Sequence, residues 1–372
     1  MSSRTDLGTP GGTPGGTSGG SAGAAPSPRG AAPRVNLRPP RLPRWALLAL
    51  LVGSVAVGVG IGLLGGLDSR AQWGLIAALV FVIAAFGLSA RIEGRRLAVD
   101  RLASTLVWAS FAVAVVPLVS LIWETVARGL PGVSWYFLTH SMNGVLSWQS
   151  GGGIYHALLG TVEQVLLASV IAIPIGLLTA VYLVEYGRGR LAKAVTFFVD
   201  VMTGIPSIVA GLFILSLWIM MLDLGYSGFA GAMALAILMM PIVVRSTEEM
   251  LKLVPNELRE ASLALGVPKW RTILKVVLPT AIGGITTGVM LALARIAGET
   301  APIILLVFGN NMINGNPFEG AQSSLPLYVY EQWGYGTEQA YERAWAAALV
   351  LIAFVMILNL LARGLARWKA PK

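Results

Sequence analysis

Residues 251–280 read LKLVPNELREASLALGVPKWRTILKVVLPT, a charged interruption between two apolar stretches whose local signals describe a pair of short helices. Asn256 is placed to cap the first, Glu257 and Glu260 suit its positive end, and Gly266 supplies the left-handed residue that stops it. Pro268 suits the first turn of the second, which is predicted to run to about Val277 before Pro279 returns the chain to apolar sequence. Leu258, Ala261 and Leu265 share one face of the first helix, with Ala264 beside them. That small apolar ridge is of the kind that docks into a groove on a partner. Periodicity alone fits a helix lying on lipid headgroups equally well.

The sequence on either side decides the fold class. The chain has 372 residues, of which 55% are hydrophobic and 12% charged, against about 25% charged in ordinary soluble domains. Apolar runs long enough to cross a bilayer recur at roughly 45–67, 73–90, 103–123, 157–183, 198–222, 228–244, 281–307 and 344–362. An all-α integral membrane protein of about eight transmembrane helices is therefore expected. Of the 27 Lys and Arg residues, 23 fall in alternate connections together with both chain ends. By the positive-inside bias this predicts a multi-pass protein of the cytoplasmic membrane with both termini in the cytoplasm. It also explains the net charge of +9 with no need for nucleic acid. Residues 1–44, rich in Gly, Pro and Ser, read as a disordered cytoplasmic tail, 45–101 as an additional two-helix transmembrane hairpin, and 102–365 as the core. Pro174, Pro206, Pro241 and Pro302 predict kinks, and Gly58, Gly62 and Gly66, with Gly284 and Gly288, have the spacing of closely packed helices.

Enzymatic patterns fail on context. Cysteine is absent and only His140 and His156 are available, so neither a thiolate nor a histidine metal centre is expected, and no cofactor is expected on this chain. Gly60, Gly62 and Gly65 match a dinucleotide fingerprint but sit in an apolar run with no preceding strand. Gly225-Tyr226-Ser227-Gly228 has the look of an intramembrane serine hydrolase motif, yet neither histidine is placed to activate the hydroxyl. A tight turn is the better reading. No Gly-Lys dipeptide occurs, so the chain has no phosphate-cradling P-loop, and any ATP that drives it is bound by another chain.

Glu260-Ala261-Ser262, then Gly266, then Leu278-Pro279 resembles the EAA loop of binding-protein-dependent ABC importer permeases, with Ser262 in place of the second alanine. The segments GGIYHALLGTVEQVLLASVIAIPIGLLTAVYLVEYGRGRLAKAV, VDVMTGIPSIVAGLF, PIVVRSTEEMLKLVP and LALARIAGETAPII extend the likeness to the PstA family of phosphate importer permeases, over roughly residues 102–365. The resemblance implies a six-helix type I, MetI-like core, with the 251–280 loop seating in an ATPase through Glu257, Leu258, Glu260, Ala261, Ser262, Leu265 and Gly266. It further implies a PstC-like permease partner, a dimer of PstB-like ATPases holding ATP and Mg, and an external PstS-like phosphate-binding protein. Molybdate or sulfate as the transported oxyanion, and a non-transporting scaffold, are the competing readings.

Candidate path residues stand out without the family. Counted from Thr280, Arg295 lies roughly 22 Å along its span, where an unpaired charge is costly, so it must face protein or water. Glu299 falls on the same face and can pair with it. An arginine fork suits phosphate oxygens, and a carboxylate can accept the proton of hydrogen phosphate; a purely structural ion pair fits as well. Arg245 is either a last contact before release or a snorkelling cation. Thr203 and Ser207, beside Pro206, offer hydroxyls either to an oxyanion or to their own helix. Glu163 and Gln164 are gating or interfacial groups.

Overall fold

The computed structural model describes residues 43–66 and 68–369, so the reading of residues 1–42 lies outside the described residues. Among the described residues every regular element is helical. The chain divides into two compact units, Met1–Val113 and Ala114–Lys372.

In the first unit, α1 (Arg44–Leu64) packs on α2 (Arg70–Ile92) through the small residues the spacing picked out. A methyl group on Gly58 would lie 2.7 Å from Ala77, and one on Gly62 would enter the Trp73 indole. Gly66 departs from that reading, because it lies beyond the helix at φ +61° with open space around it. After α2, Glu93 is buried, takes the Ser89 hydroxyl at 2.6 Å and pairs with Arg101 at 2.8 Å in the first turns of α3 (Arg95–Gly129).

The second unit continues with α4 (Trp135–Thr139), α5 (Tyr155–Val181), α6 (Gly189–Gly204), α7 (Ser207–Ile214), α8 (Gly228–Lys252), α9 (Asn256–Ala264), α10 (Lys269–Thr272), α11 (Leu278–Ala297), α12 (Ala301–Leu306), α13 (Leu325–Gly334) and α14 (Glu338–Lys369). At its centre is α8. Its spanning stretch is 67% buried, against 33% for those of α5 and α11. The reason is size: Ala230, Ala232, Ala234 and Ala236 are fully or almost fully covered and let α5, α7, α11 and α12 approach. Gly284 and Gly288 contribute in the same way. A methyl group at either would collide with Met250 or Ser246 of α8, so this glycine pair is spent on packing within the chain.

Among the described residues, seven helical runs are long and apolar enough to cross a membrane, or eight if one bent pair counts as a span. That pair is the span read as 198–222 with a kink at Pro206, and the kink is there, although the first half begins earlier, at Gly189. It is α6 followed by α7 and a π turn to Met221, bent by 107° at Ile205-Pro206. An X-Pro step disfavours the helical conformation of the preceding residue, and Ile205 is accordingly extended. Pro174 and Pro241 break nothing, because they lie inside α5 and α8. The span read as 281–307 is also two pieces: α11 stops at Ala297, and Pro302 lies in the first turn of α12. At its other end, Pro279 does not separate the second loop helix from the membrane. α10, a π turn over Ile273–Val277 and α11 form one run, Lys269–Ala297, of 29 residues.

Candidate functional site

The α9 end of the second unit is a ridge on a socket. Glu257, Leu258, Glu260, Ala261, Leu265 and Gly266 are all exposed, Leu265 by 83%. Leu263 and Trp270, which the sequence reading passed over, widen the apolar surface. Gly266 stands at φ +77° and its amide donates to the Leu263 carbonyl at 2.9 Å, so it ends α9 as the spacing required. Two expectations fail here. Asn256 is not the cap: Pro255 occupies that position, and Asn256 Oδ1 accepts from Arg259 Nη1 at 3.2 Å. Nor is Ser262 on the docking face. It is buried, with its hydroxyl 2.8 Å from that of Thr272, and so fastens α9 to α10.

The socket centres on Arg259, which carried no role in the sequence reading. Its Nε and Nη2 both lie 3.0 Å from Glu185 Oε1, with the two side chains only 16% and 6% exposed. Nη1 donates to the Val254 carbonyl at 2.5 Å and Nη2 to that of Leu251 at 2.9 Å, so the guanidinium binds backbone oxygens at and just past the end of α8. Lys269 Nζ donates to the carbonyl oxygen of Glu185 and lies 4.8 Å from the centre of the Tyr186 ring. The signal in the sequence was an acidic residue, Glu185, at the edge of an otherwise basic connection. Its partner, 74 positions away, had none.

Arg245 is engaged by carboxylates of its own chain. It is paired with Asp200 of α6 and, at 2.7 Å, with Glu248, which also takes Lys252 at 2.6 Å. The Thr203 hydroxyl donates to the Val199 carbonyl at 2.8 Å, leaving its lone pairs as its only outward offer. Ser207 opens α7 directly after the bend.

Arg295 lies two residues before the end of the 29-residue run, nearer the far end than a start at Thr280 implies. Its Nε is 3.8 Å from Glu299 Oε1, beyond hydrogen-bond distance. Glu299 is past the end of α11, so the contact survives a break in the helix. Arg295 is 63% exposed against 19% for Glu299, which leaves its guanidinium turned away from this chain's own core.

At the far end, the connection between α12 and α13 folds back on α5. Gln164 Nε2 donates to Gln322 Oε1 at 3.2 Å and to the Ser323 carbonyl at 3.3 Å. Gln322 Nε2 donates to Glu163 at 2.7 Å and to the Asn314 carbonyl at 3.0 Å, and the Leu325 amide donates to the Thr161 hydroxyl at 2.7 Å. Glu163 and Gln164 are thus fastenings of this loop. Gln322 and Asn314 escaped the sequence reading because their partners are distant in the chain. Nearby, burial pushes the Glu331 carboxyl above its ordinary value. Ser227 is fully buried and its hydroxyl accepts the Ala230 amide at 3.2 Å as the cap of α8, which accounts for the apparent hydrolase motif as a turn.

The family model for "Binding-protein-dependent transport system inner membrane component" matches residues 172–372. The chain is 51% identical over 271 residues to a Mycobacterium tuberculosis protein, "Phosphate transport system permease protein PstA 1", covering 72% of this chain and 87% of that one. It is 48% identical over 270 residues to the Mycobacterium leprae "Phosphate transport system permease protein PstA", covering 72% and 89%. Among solved structures, an inward-facing MetNI methionine ABC transporter chain aligns with a TM-score of 0.47 at 22% identity, over 59% of this chain and 95% of that one. The chain belongs to the family of binding-protein-dependent transport system inner membrane components, and within that family to the PstA permeases.

Proposed function

We propose that the chain is the membrane permease through which inorganic phosphate enters the cell, driven by ATP hydrolysed on a separate subunit. The observation that carries this reading is the α9 ridge: an exposed apolar surface held on a stiff, fully hydrogen-bonded base, in a chain that is 51% identical over 271 residues to a phosphate permease. In this reading the α9 end faces the cytoplasm with both termini, as the distribution of Lys and Arg requires. The ridge enters a groove on a PstB-like ATPase dimer that holds ATP and Mg. A PstC-like permease covers the exposed flank of Arg295, and a PstS-like protein delivers phosphate from outside.

ATP binding closes the ATPase dimer, and the α9 ridge passes that movement to the bundle, which alternates between its two access states. Arg295 meets phosphate at the subunit boundary, where a guanidinium turned out of its own chain must find an anion, a partner or water. Glu299, loosely held, is free to accept the proton of hydrogen phosphate. Uptake of radiolabelled phosphate into vesicles containing the four-component complex tests the assignment. It is expected to require ATP and to be competed by phosphate but not by sulfate or molybdate. Phosphate movement through this chain with no ATPase present would overturn it.

A further inference from the structure

We propose that Glu185 and Arg259 are positioning residues which lock the coupling ridge to α5 and make that helix the strut carrying ATPase movement to the far end. The inference rests on the transport reading above and adds a route to it. By chain connection, α9 can move only its neighbours, α8 before it and the Lys269–Ala297 run after it. The structure adds a third attachment. Arg259, in the middle of the ridge helix, places two nitrogens on the Glu185 carboxylate, and Lys269 holds the backbone of the same residue.

Glu185 lies in the π turn Tyr182–Tyr186 that continues α5, and is the next-to-last residue of a single helical run, Tyr155–Tyr186, of 32 residues, about 48 Å long at 1.5 Å per residue. The opposite end of that run carries Thr161, Glu163 and Gln164, the groups that hold Gln322, Ser323 and Leu325. One uninterrupted rod is thus gripped by the ridge at one end and grips the far loop at the other. A push on α9 reaches that loop without passing through the broken α6–α7 pair or the break after Ala297. The ion pair is the joint that the chain itself does not supply. It is nearly dry, so it is stiffer than an exposed pair of the same length.

The complex reconstituted in proteoliposomes, with wild type, Glu185→Gln, Arg259→Gln and the charge-reversed double variant E185R/R259E, tests this by phosphate taken up per ATP hydrolysed and by ATPase retained after solubilisation. The strut predicts that both single variants keep their ATPase and hydrolyse ATP within about twofold of wild type while uptake per ATP falls by roughly tenfold. The reversed pair should recover part of that loss, the signature of a direct pairwise coupling, but not the share carried by the Arg259 bonds to the Val254 and Leu251 carbonyls, which a glutamate cannot make. The strut is overturned if uptake per ATP is unchanged in the single variants. It is equally overturned if uptake falls only in proportion to lost ATPase, or if the reversed pair is no better than either single change. A wild-type complex that hydrolyses ATP but takes up no phosphate would remove the transport reading, and the strut with it, before any variant is compared.

Discussion

The two ends of the second unit solve opposite problems with different chemistry. At the α9 end, charged side chains face inward to carbonyls and one carboxylate, and the apolar residues Leu258, Leu263 and Leu265 face outward. At the far end, neutral amides face inward in a chain of hydrogen bonds from Glu163 through Gln322 to Gln164, and the loop closes on its own helix. The first is a surface left unfinished for another chain. The second is completed within the chain, so damage to it should appear as lost stability and not as lost assembly.

The largest expected effect tests the unfinished end. Gly266→Pro forces φ to about −65° where the chain needs +77°. The ridge should lose its ATPase and uptake should fall by about a hundredfold or more, the consequence of a backbone conflict of about 3 kcal/mol; co-purification and vesicle uptake measure both. Retention of the ATPase would show that the turn does not shape the ridge.

Next is Arg295→Ala. It belongs to neither fastening, and it should lower uptake by roughly 10- to 100-fold, as loss of a charged hydrogen bond to substrate implies, while ATPase co-purification stays intact. Lost assembly with normal uptake per assembled complex would instead make Arg295 a subunit contact.

The completed end is broken by Gln322→Leu, which leaves the half-buried Glu163 and the buried Gln164 with fewer partners. A loss of about 1–3 kcal/mol should lower the apparent melting temperature of the detergent-solubilised chain by several degrees, with ATPase binding unchanged. An unchanged melting temperature would mean that the amide chain contributes no net stability.

Smallest of all is Thr203→Val. Because the hydroxyl is already given to the Val199 carbonyl, phosphate uptake should stay within about twofold of wild type, the loss of an exposed local hydrogen bond being small. A larger fall would return Thr203 to the path.

Much of the fold was legible because a bilayer leaves a helix few alternatives: an apolar run of about 20 residues must satisfy its own backbone. The ridge was legible as well, since Gly266 and the Leu258–Ala261–Leu265 face are local signals. Three things were not. The helix α6 is amphipathic, with Arg190 and Lys193 near its start, so its first half resembled a polar connection. Pro279 looked like an entry point, but it falls just after the π turn Ile273–Val277 within one continuous run, and the helix passes through it. The contacts of Arg259 with Glu185 and of Gln164 with Gln322 span 74 and 158 residues, and no periodicity within one helix can announce a partner in another.

Of the π turns at Tyr182–Tyr186, Leu215–Met221 and Ile273–Val277, the last has one more consequence. Only Ile273–Val277 has α-helix on both sides, where it winds a surplus residue into the run, so there the chain is longer than its hydrogen-bond ladder needs. Shortening the protein by one residue within that turn would let the helix relax to ordinary winding, whereas the same excision between Gly284 and Gly288 would turn one glycine by about 100° relative to the other and take it off α8. Insertions and deletions should therefore be tolerated very unevenly along this run, with the surplus turn acting as slack.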